Sequence, residues 1–359
     1  MKIKRLSLLL ALLFAIGTLT GCATRREASD VHVFYYTYSD PYISTVRSAL
    51  DGKLKDAGIR FQDHDGNNSQ TTQTEQVQTA ITKGAKLLIV NIVTTGSDDA
   101  ASGIVSLAKS AGIPVIFFNR EVSDAVVNSY DKCVFVGTDA AEAGYLQGDM
   151  VGDYVVESYD RIDLNGDGKI SYVMFMGEKG NNEAIYRTQY SVENANKKLV
   201  AAGKPELVFY DTANTDRYLL DREGKWSAQA ANEYMTTILA SYSAANNNMV
   251  ELVICNNDGM AEGAISALAS AGYNKGGDSV TIPVFGVDAT SAARQLIRAG
   301  KMAGTIKQDA EGMADAIEEI VENAFGGKAL LDDMDDYTVD SGVAKVRISY
   351  AVYLGDEND

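Results

Sequence analysis

Ile113-Pro114-Val115-Ile116-Phe117-Phe118-Asn119-Arg120-Glu121 is an apolar run that ends abruptly in polar residues. A strand covered on both faces reads this way, and in a parallel sheet its carboxyl end opens on a binding site. The pattern recurs at Ile282-Pro283-Val284-Phe285-Gly286-Val287-Asp288. Upstream of the first run, Val31 to Tyr36 reads as a strand, and Ser39-Asp40-Pro41 caps a helix reaching about Ala57, with Pro at its first position. Two more units follow, strand Ile59 to Asp63 with a helix near Thr71 to Lys83, and strand Leu87 to Asn91 with a helix near Ser97 to Ala111. A short strand, Val134 to Val136, closes this half.

Past Gly137-Thr138-Asp139 a helix runs to about Ser158 and the alternation restarts. Strand Tyr172 to Met176 precedes helix Glu183 to Ala202; strand Glu206 to Tyr210 precedes helix Ala228 to Ser241. Strand Glu251 to Cys255 leads to Asn257-Asp258, which cap a helix to Ala271. After the second apolar run come strand Ala303 to Ile306, helix Asp309 to Phe325 and a last strand near Val343 to Tyr350. Thr212 to Lys225 reads as a polar insertion, Leu331 to Tyr337 as an acidic loop. Two successive sets of βα units predict an α/β fold of two doubly wound parallel-sheet lobes facing one another across a cleft. A chain of 359 residues that is 46% hydrophobic can bury two such cores.

The amino-terminal end carries Lys2, Lys4 and Arg5, the apolar run Leu6 to Ile16, then Leu19-Thr20-Gly21-Cys22. A basic region, a short hydrophobic region and small residues at a cut site mark an export signal over residues 1–21. Leu-Thr-Gly-Cys resembles the bacterial lipoprotein box, which implies lipidation of Cys22, anchorage to the extracytoplasmic face of a membrane and a polar tether over residues 22–29. The alternative is an ordinary signal peptide with an incidental Cys. Loss of residues 1–21 leaves 29 basic against 49 acidic side chains, a net charge of −20. So acidic a surface repels phosphate backbones and argues against nucleic acid. Cys133 and Cys255 lie in apolar strand-like runs and read as buried free thiols.

Asp163-Leu164-Asn165-Gly166-Asp167-Gly168-Lys169-Ile170-Ser171 matches the first nine positions of an EF-hand calcium loop. Oxygen side chains alternate, Gly stands sixth, and the seventh residue offers a carbonyl. The match then stops, because the twelfth residue is Met174 and the segment after the loop is strand-like. The final carboxylate must come from elsewhere; otherwise this is an Asx-rich surface turn without metal.

Taken in order, Phe117 to Glu121, the 163–171 loop, Asn256-Asn257-Asp258 and Pro283 to Asp288 resemble the calcium-containing galactose/glucose-binding proteins of bacterial sugar ABC transporters, over nearly the whole chain after Ala28. That resemblance implies a type I periplasmic binding protein, monomeric, whose lobes are joined by a three-segment hinge. It places the crossings near Gly137 to Asp139, Lys307 to Ala310 and Val346 to Ser349. One lobe would be 30–137 with about 309–345, the other 138–308 with about 346–359. It further implies that the closed form delivers a monosaccharide to a membrane permease and in some cases to a chemoreceptor. Glu251 becomes the missing calcium carboxylate, joining Asp163, Asn165, Asp167, the Lys169 carbonyl and Ser171 around a structural Ca²⁺. Ser171 departs from the longer amide usual there, which leaves a bridging water as the alternative ligand.

A pyranose has apolar C–H faces and a rim of hydroxyls that both donate and accept, so its binder needs flat aromatics and a ring of planar polar groups. The resemblance assigns the stacking faces to Tyr42, where Phe is common, and to Trp226, the only Trp of the chain. It assigns the polar rim to Asp40, Asn119, Asn181, Glu183, Arg187, Asn257, Asp288 and Gln308. Asn181, Glu183 and Gln308 stand where the family has His, Asp and Asn, changes able to move sugar preference by roughly 1 to 3 kcal/mol each. D-galactose or D-glucose is the expected ligand. Asp40, Glu183 and Asp288 also admit a two-carboxylate glycosidase. However, the only histidines are His32 in a strand and His64 in an expected loop, and neither a Gly-x-Ser-x-Gly nor a Walker motif occurs. A repressor of similar build needs a basic helix-turn-helix headpiece where this chain has an export signal. A sensor subunit presenting sugar to a membrane kinase remains open.

Overall fold

The computed structural model describes residues 29–355; the export signal, Cys22 and nearly all of the tether lie outside them. The first lobe alternates β1 (Val31–Tyr35), α1 (Pro41–Asp56), β2 (Phe61–Asp65), α2 (Gln70–Thr82), β3 (Leu87–Val90), α3 (Asp99–Ala111), β4 (Val115–Phe118), the single turn α4 (Asp124–Val127) and β5 (Cys133–Gly137). These strands are parallel in the order β2-β1-β3-β4-β5. The second lobe contains α5 (Ala140–Ile162), β6 (Ser171–Met176), α6 (Asn182–Ala201), β7 (Val208–Phe209), β8 (Leu219–Leu220), α7 (Ala228–Leu239), β9 (Leu252–Cys255), α8 (Asp258–Ser270), β10 (Val284–Asp288), α9 (Ser291–Arg298) and β11 (Gly304–Gln308). Its order is β7-β6-β9-β10-β11, with β8 also paired to β6.

The chain then returns. Helix α10 (Ala310–Gly326) packs on α1, and β12 (Thr338–Val339) and β13 (Lys345–Arg347) extend the first sheet beyond β5, whereas β14 (Tyr350–Tyr353) lies antiparallel to β11. Three segments therefore cross between lobes, at 138–139, at 309 and at 348–349. Pleating sorts the first lobe into two cores. Val31, Val33 and Tyr35 face α1 and α10, while Phe34, Leu88 and Val90 face α2 and α3. Both faces of the sheet are covered at its centre, which is why β1, β3, β4 and β5 are buried and mostly apolar, whereas the edge strand β2 is polar and half-buried.

Differences from the sequence reading have local causes. Ile59 does not open β2: its N–H bonds the Leu54 carbonyl and that of Gly58 bonds Lys55, a Schellman closure of α1 with Gly58 left-handed (φ 71°). His64 consequently lies in β2, its ring nitrogen 2.9 Å from that of His32. The polar insertion contains β8, and the last run is not one strand. Arg347 pairs with Gly137 in the first sheet and Tyr350 with Gln308 in the second, so the chain changes sheets between these two residues. Cys133 and Cys255 are buried and unpaired, and burial pushes the Cys133 thiol up to about 12. No helix among the described residues is long and apolar enough to cross a membrane.

Candidate functional site

The carboxyl ends of both sheets face a cavity of about 370 Å³ between the lobes. All ten residues of the expected sugar site line it: Asp40 and Tyr42 from the start of α1, Asn119 after β4, Asn181, Glu183 and Arg187 at and along the first turns of α6, Trp226 ahead of α7, Asn257 after β9, Asp288 ending β10 and Gln308 ending β11. Sequence reasoning missed three more lining residues, Tyr36, Ile43 and Arg120.

Capping explains several positions. Asp40 accepts from the Ile43 N–H at 2.9 Å with one carboxylate oxygen and from the Tyr36 hydroxyl at 2.5 Å with the other. Asn181 and Asn257 cap α6 and α8 by accepting from Ala184 and Met260. Their amides are spoken for as well, Asn181 donating to Glu178 and Asn257 to the Trp226 carbonyl. Capping therefore fixes these side chains at the cavity wall and does not remove them from it.

Elsewhere the backbone is bent to present side chains. Asn119 (φ 60°), Trp226 (φ 55°) and Asp288 (φ 124°) all have positive φ without being glycine, a cost of about 1–3 kcal/mol each that surrounding structure must hold in place. At Asp288 the holder is Asp258. Its carboxylate accepts from the Thr290 N–H at 2.8 Å and the Thr305 hydroxyl at 2.6 Å, pinning the turn that follows β10.

Arg187 is the centre of the wall. It is buried, donates to the Asn256 carbonyl at 2.9 Å, to the Tyr350 hydroxyl at 2.8 Å and to Gln308 at 3.4 Å, and Tyr350 in turn bonds Thr138 at 2.7 Å. Thr138, Gln308 and Tyr350 stand at the three interlobe crossings, so one guanidinium ties the cavity to the hinge. Trp226 packs its ring against Gly177, where a Cβ would fall 2.2 Å from the indole.

What the wall leaves unsatisfied is informative. The Tyr42 hydroxyl, Arg120 Nε, Arg187 Nε, Gln308 Nε2 and both carboxylate oxygens of Glu183 are buried without a protein partner. Each such atom costs about 1–3 kcal/mol, and native proteins seldom leave so many around one cavity. Burial pushes the Glu183 carboxyl up to about 7 although Arg187 pulls the other way, and burial together with the Asp258 carboxylate raises Asp288. The set mixes donors and acceptors between aromatic rings, which suits an uncharged polyhydroxyl compound.

The 163–171 loop lies far from this cavity, between α5 and β6. Asp163 accepts from the Asp167 and Gly168 N–H groups, Asn165 from Asp167, and Asp167 from Lys169. Glu251, one residue ahead of β9, reaches across to the N–H groups of Leu164, Asn165 and Ser171, while the Ser171 hydroxyl donates to the Met249 carbonyl. Among the described residues no three His, Cys, Asp or Glu side chains are grouped as a metal cage.

A model of the periplasmic binding protein domain matches residues 31–329. The D-galactose/methyl-galactoside binding periplasmic protein of Haemophilus influenzae is 34% identical over 327 residues, covering 91% of this chain and 90% of that one. The chain belongs to the periplasmic binding protein family. Its fold is shared with a solute-binding protein of Bacillus halodurans solved with myo-inositol (TM-score 0.67, 24% identity, 92% and 96% covered) and one of Clostridium phytofermentans solved with β-D-glucose (0.68, 23%, 90% and 94%). The chain is thus a periplasmic binding protein and not an enzyme.

Proposed function

We propose that this periplasmic binding protein captures a monosaccharide, D-galactose or D-glucose, between closing lobes and delivers it to an ABC permease. The observation that carries the reading is the ring of six buried, unpartnered polar atoms around one cavity bounded by Tyr42 and Trp226. The similarity to a galactose-binding relative points the same way. Calorimetry with D-galactose, D-glucose, ribose and xylose tests it: one hexose binds clearly, and silence across the panel overturns the reading. Presentation of the closed form to a chemoreceptor uses the same outer surface and is a second role, and Cys22 is the proposed lipid anchor.

The second proposal is structural Ca²⁺ on the 163–171 loop. The donors are oxygens alone, as a hard cation needs, and carboxylate oxygens that accept one N–H keep a further lone pair. Burial raises the Glu251 carboxyl although the N–H groups of Ser171, Leu164 and Asn165 pull the other way. Asp163, Asn165, Asp167, the Lys169 carbonyl, Ser171 and Glu251 would hold the ion, which neutralises the loop and links it to β9. Chelation should lower the melting temperature, since removing a ligand bound at about 100 times its Kd costs about 2.7 kcal/mol; an unchanged melt refutes the assignment.

Glu183 gives a pH signature. Its folded-state pKa of about 7 lies above the unfolded value of about 4.3. A raised carboxyl contributes stability that is complete below the unfolded pKa and is lost as pH rises through the folded one. Sugar-free wild type should lose stability relative to Glu183→Gln between pH 4.5 and 7.5, read by urea denaturation at stepped pH. Parallel curves refute the shifted carboxyl.

A further inference from the structure

Glu178 does not line the cavity, yet it touches both lobes. From the first lobe it receives Arg120 Nη2 at 2.6 Å and the Thr95 hydroxyl at 3.3 Å. From its own lobe it receives the Trp226 indole N–H at 3.3 Å and the Asn181 amide at 3.1 Å. The Arg120 side chain is 6% exposed and that of Glu178 17%, so the pair is largely withdrawn from water. Arg120 is itself fixed by the Val93 carbonyl at 3.0 Å and by stacking 4.3 Å from the Tyr36 ring centroid. We infer that Glu178 is a positioning residue with two tasks: it holds Trp226 and Asn181 at the cavity wall, and it latches the closed lobes through Arg120.

The two tasks separate chemically. The bonds to Trp226 and Asn181 lie within one lobe and need only an acceptor oxygen, whereas the bond to Arg120 spans the cleft and draws on charge. Closing the lobes brings Arg120 onto a carboxylate already oriented by the wall, so sugar bound against that wall leaves only when the ion pair opens. A desolvated pair of this kind acts mainly on dissociation.

The latch rests on the sugar reading, and its test keeps the two apart. Trp226 is the sole Trp, so its emission reports the wall directly, with or without ligand. Glu178→Gln keeps an acceptor and should leave the emission of the sugar-free protein unchanged, while sugar leaves about tenfold or more faster in stopped flow. Glu178→Ala should shift the emission and also speed release. Arg120→Gln should speed release without shifting the emission, and the double variant Arg120→Gln/Glu178→Gln should be no faster than the faster single one. Unchanged release in Glu178→Gln, or effects that multiply in the double variant, overturns the latch. Unchanged emission in Glu178→Ala overturns the positioning of Trp226. If wild type binds no sugar of the panel, the sugar reading and the latch built on it both fail, and the sugar-free emission series decides the positioning task alone.

Discussion

Replacing Arg187 by Ala abolishes measurable sugar binding and lowers the melting temperature as well. The guanidinium makes three protein bonds, to Asn256, Gln308 and Tyr350, and keeps Nε for the cavity. Removing it takes the Arg187 donor from the Gln308 oxygen, leaves the Tyr350 hydroxyl with Thr138 alone, and leaves Glu183 and Asp288 without their nearest cation. Breaking one partner of a buried charged network costs about 3–5 kcal/mol, which in binding terms is a loss of several hundred-fold or more. Arg187→Lys tests the fork. A single ammonium has three donors on one atom, too few and too close together for Asn256, Gln308, Tyr350 and a ligand oxygen, so this variant should retain fold but lose at least tenfold in affinity. Calorimetry for binding and a thermal melt for stability check both, and an Arg187→Ala variant that binds like wild type contradicts the assignment.

The second large effect concerns Trp226. Trp226→Ala removes one wall of the cavity and should weaken binding roughly thirtyfold or more, the equivalent of the roughly 2 kcal/mol or more that buried aromatic anchors carry. The same ring can be displaced without being removed. Gly177→Ala puts a methyl 2.2 Å from the indole, and the ring must leave its place at the cavity wall. That variant should keep its fold by circular dichroism and lose most of its affinity; normal binding by both variants shows that the indole does not face the sugar.

Site residues differ in how far they can be read from one dimension. Asn119 and Asp288 were legible because a polar side chain closing an apolar run marks the open end of a parallel strand, whatever its neighbours. Asp40 was legible as a cap, and its bonds to Ile43 and Tyr36 show why a cap can also be a wall. Trp226 gave no such signal; a lone Trp after a polar stretch is usually core, and only the resemblance drew it to the cleft. Arg120 was hidden in plain view as the next polar residue after Asn119. Glu178 was hidden more deeply, since its partners come from positions 95, 120, 181 and 226 and no spacing rule joins them.

The fold shows the same division. Alternating strands and helices and the two-lobe layout follow from local pattern, because apolar periodicity and caps are local properties. The split of Val343 to Tyr350 between two sheets is not local. Both β13 and β14 continue similar apolar alternation, and the choice of sheet is made by Gly137 and Gln308, more than 200 and about 40 residues away. The brief β8 owes its existence to β6 alone, so its two leucines read as part of a polar loop.

Determination of the structure with the best-binding hexose tests the central claim most directly. The account predicts one pyranose ring between Tyr42 and Trp226, with Arg187, Glu183 and Gln308 taking its hydroxyls through the atoms that lack protein partners. A sugar bound outside the cleft, or one in the cleft that leaves those atoms untouched, would contradict it.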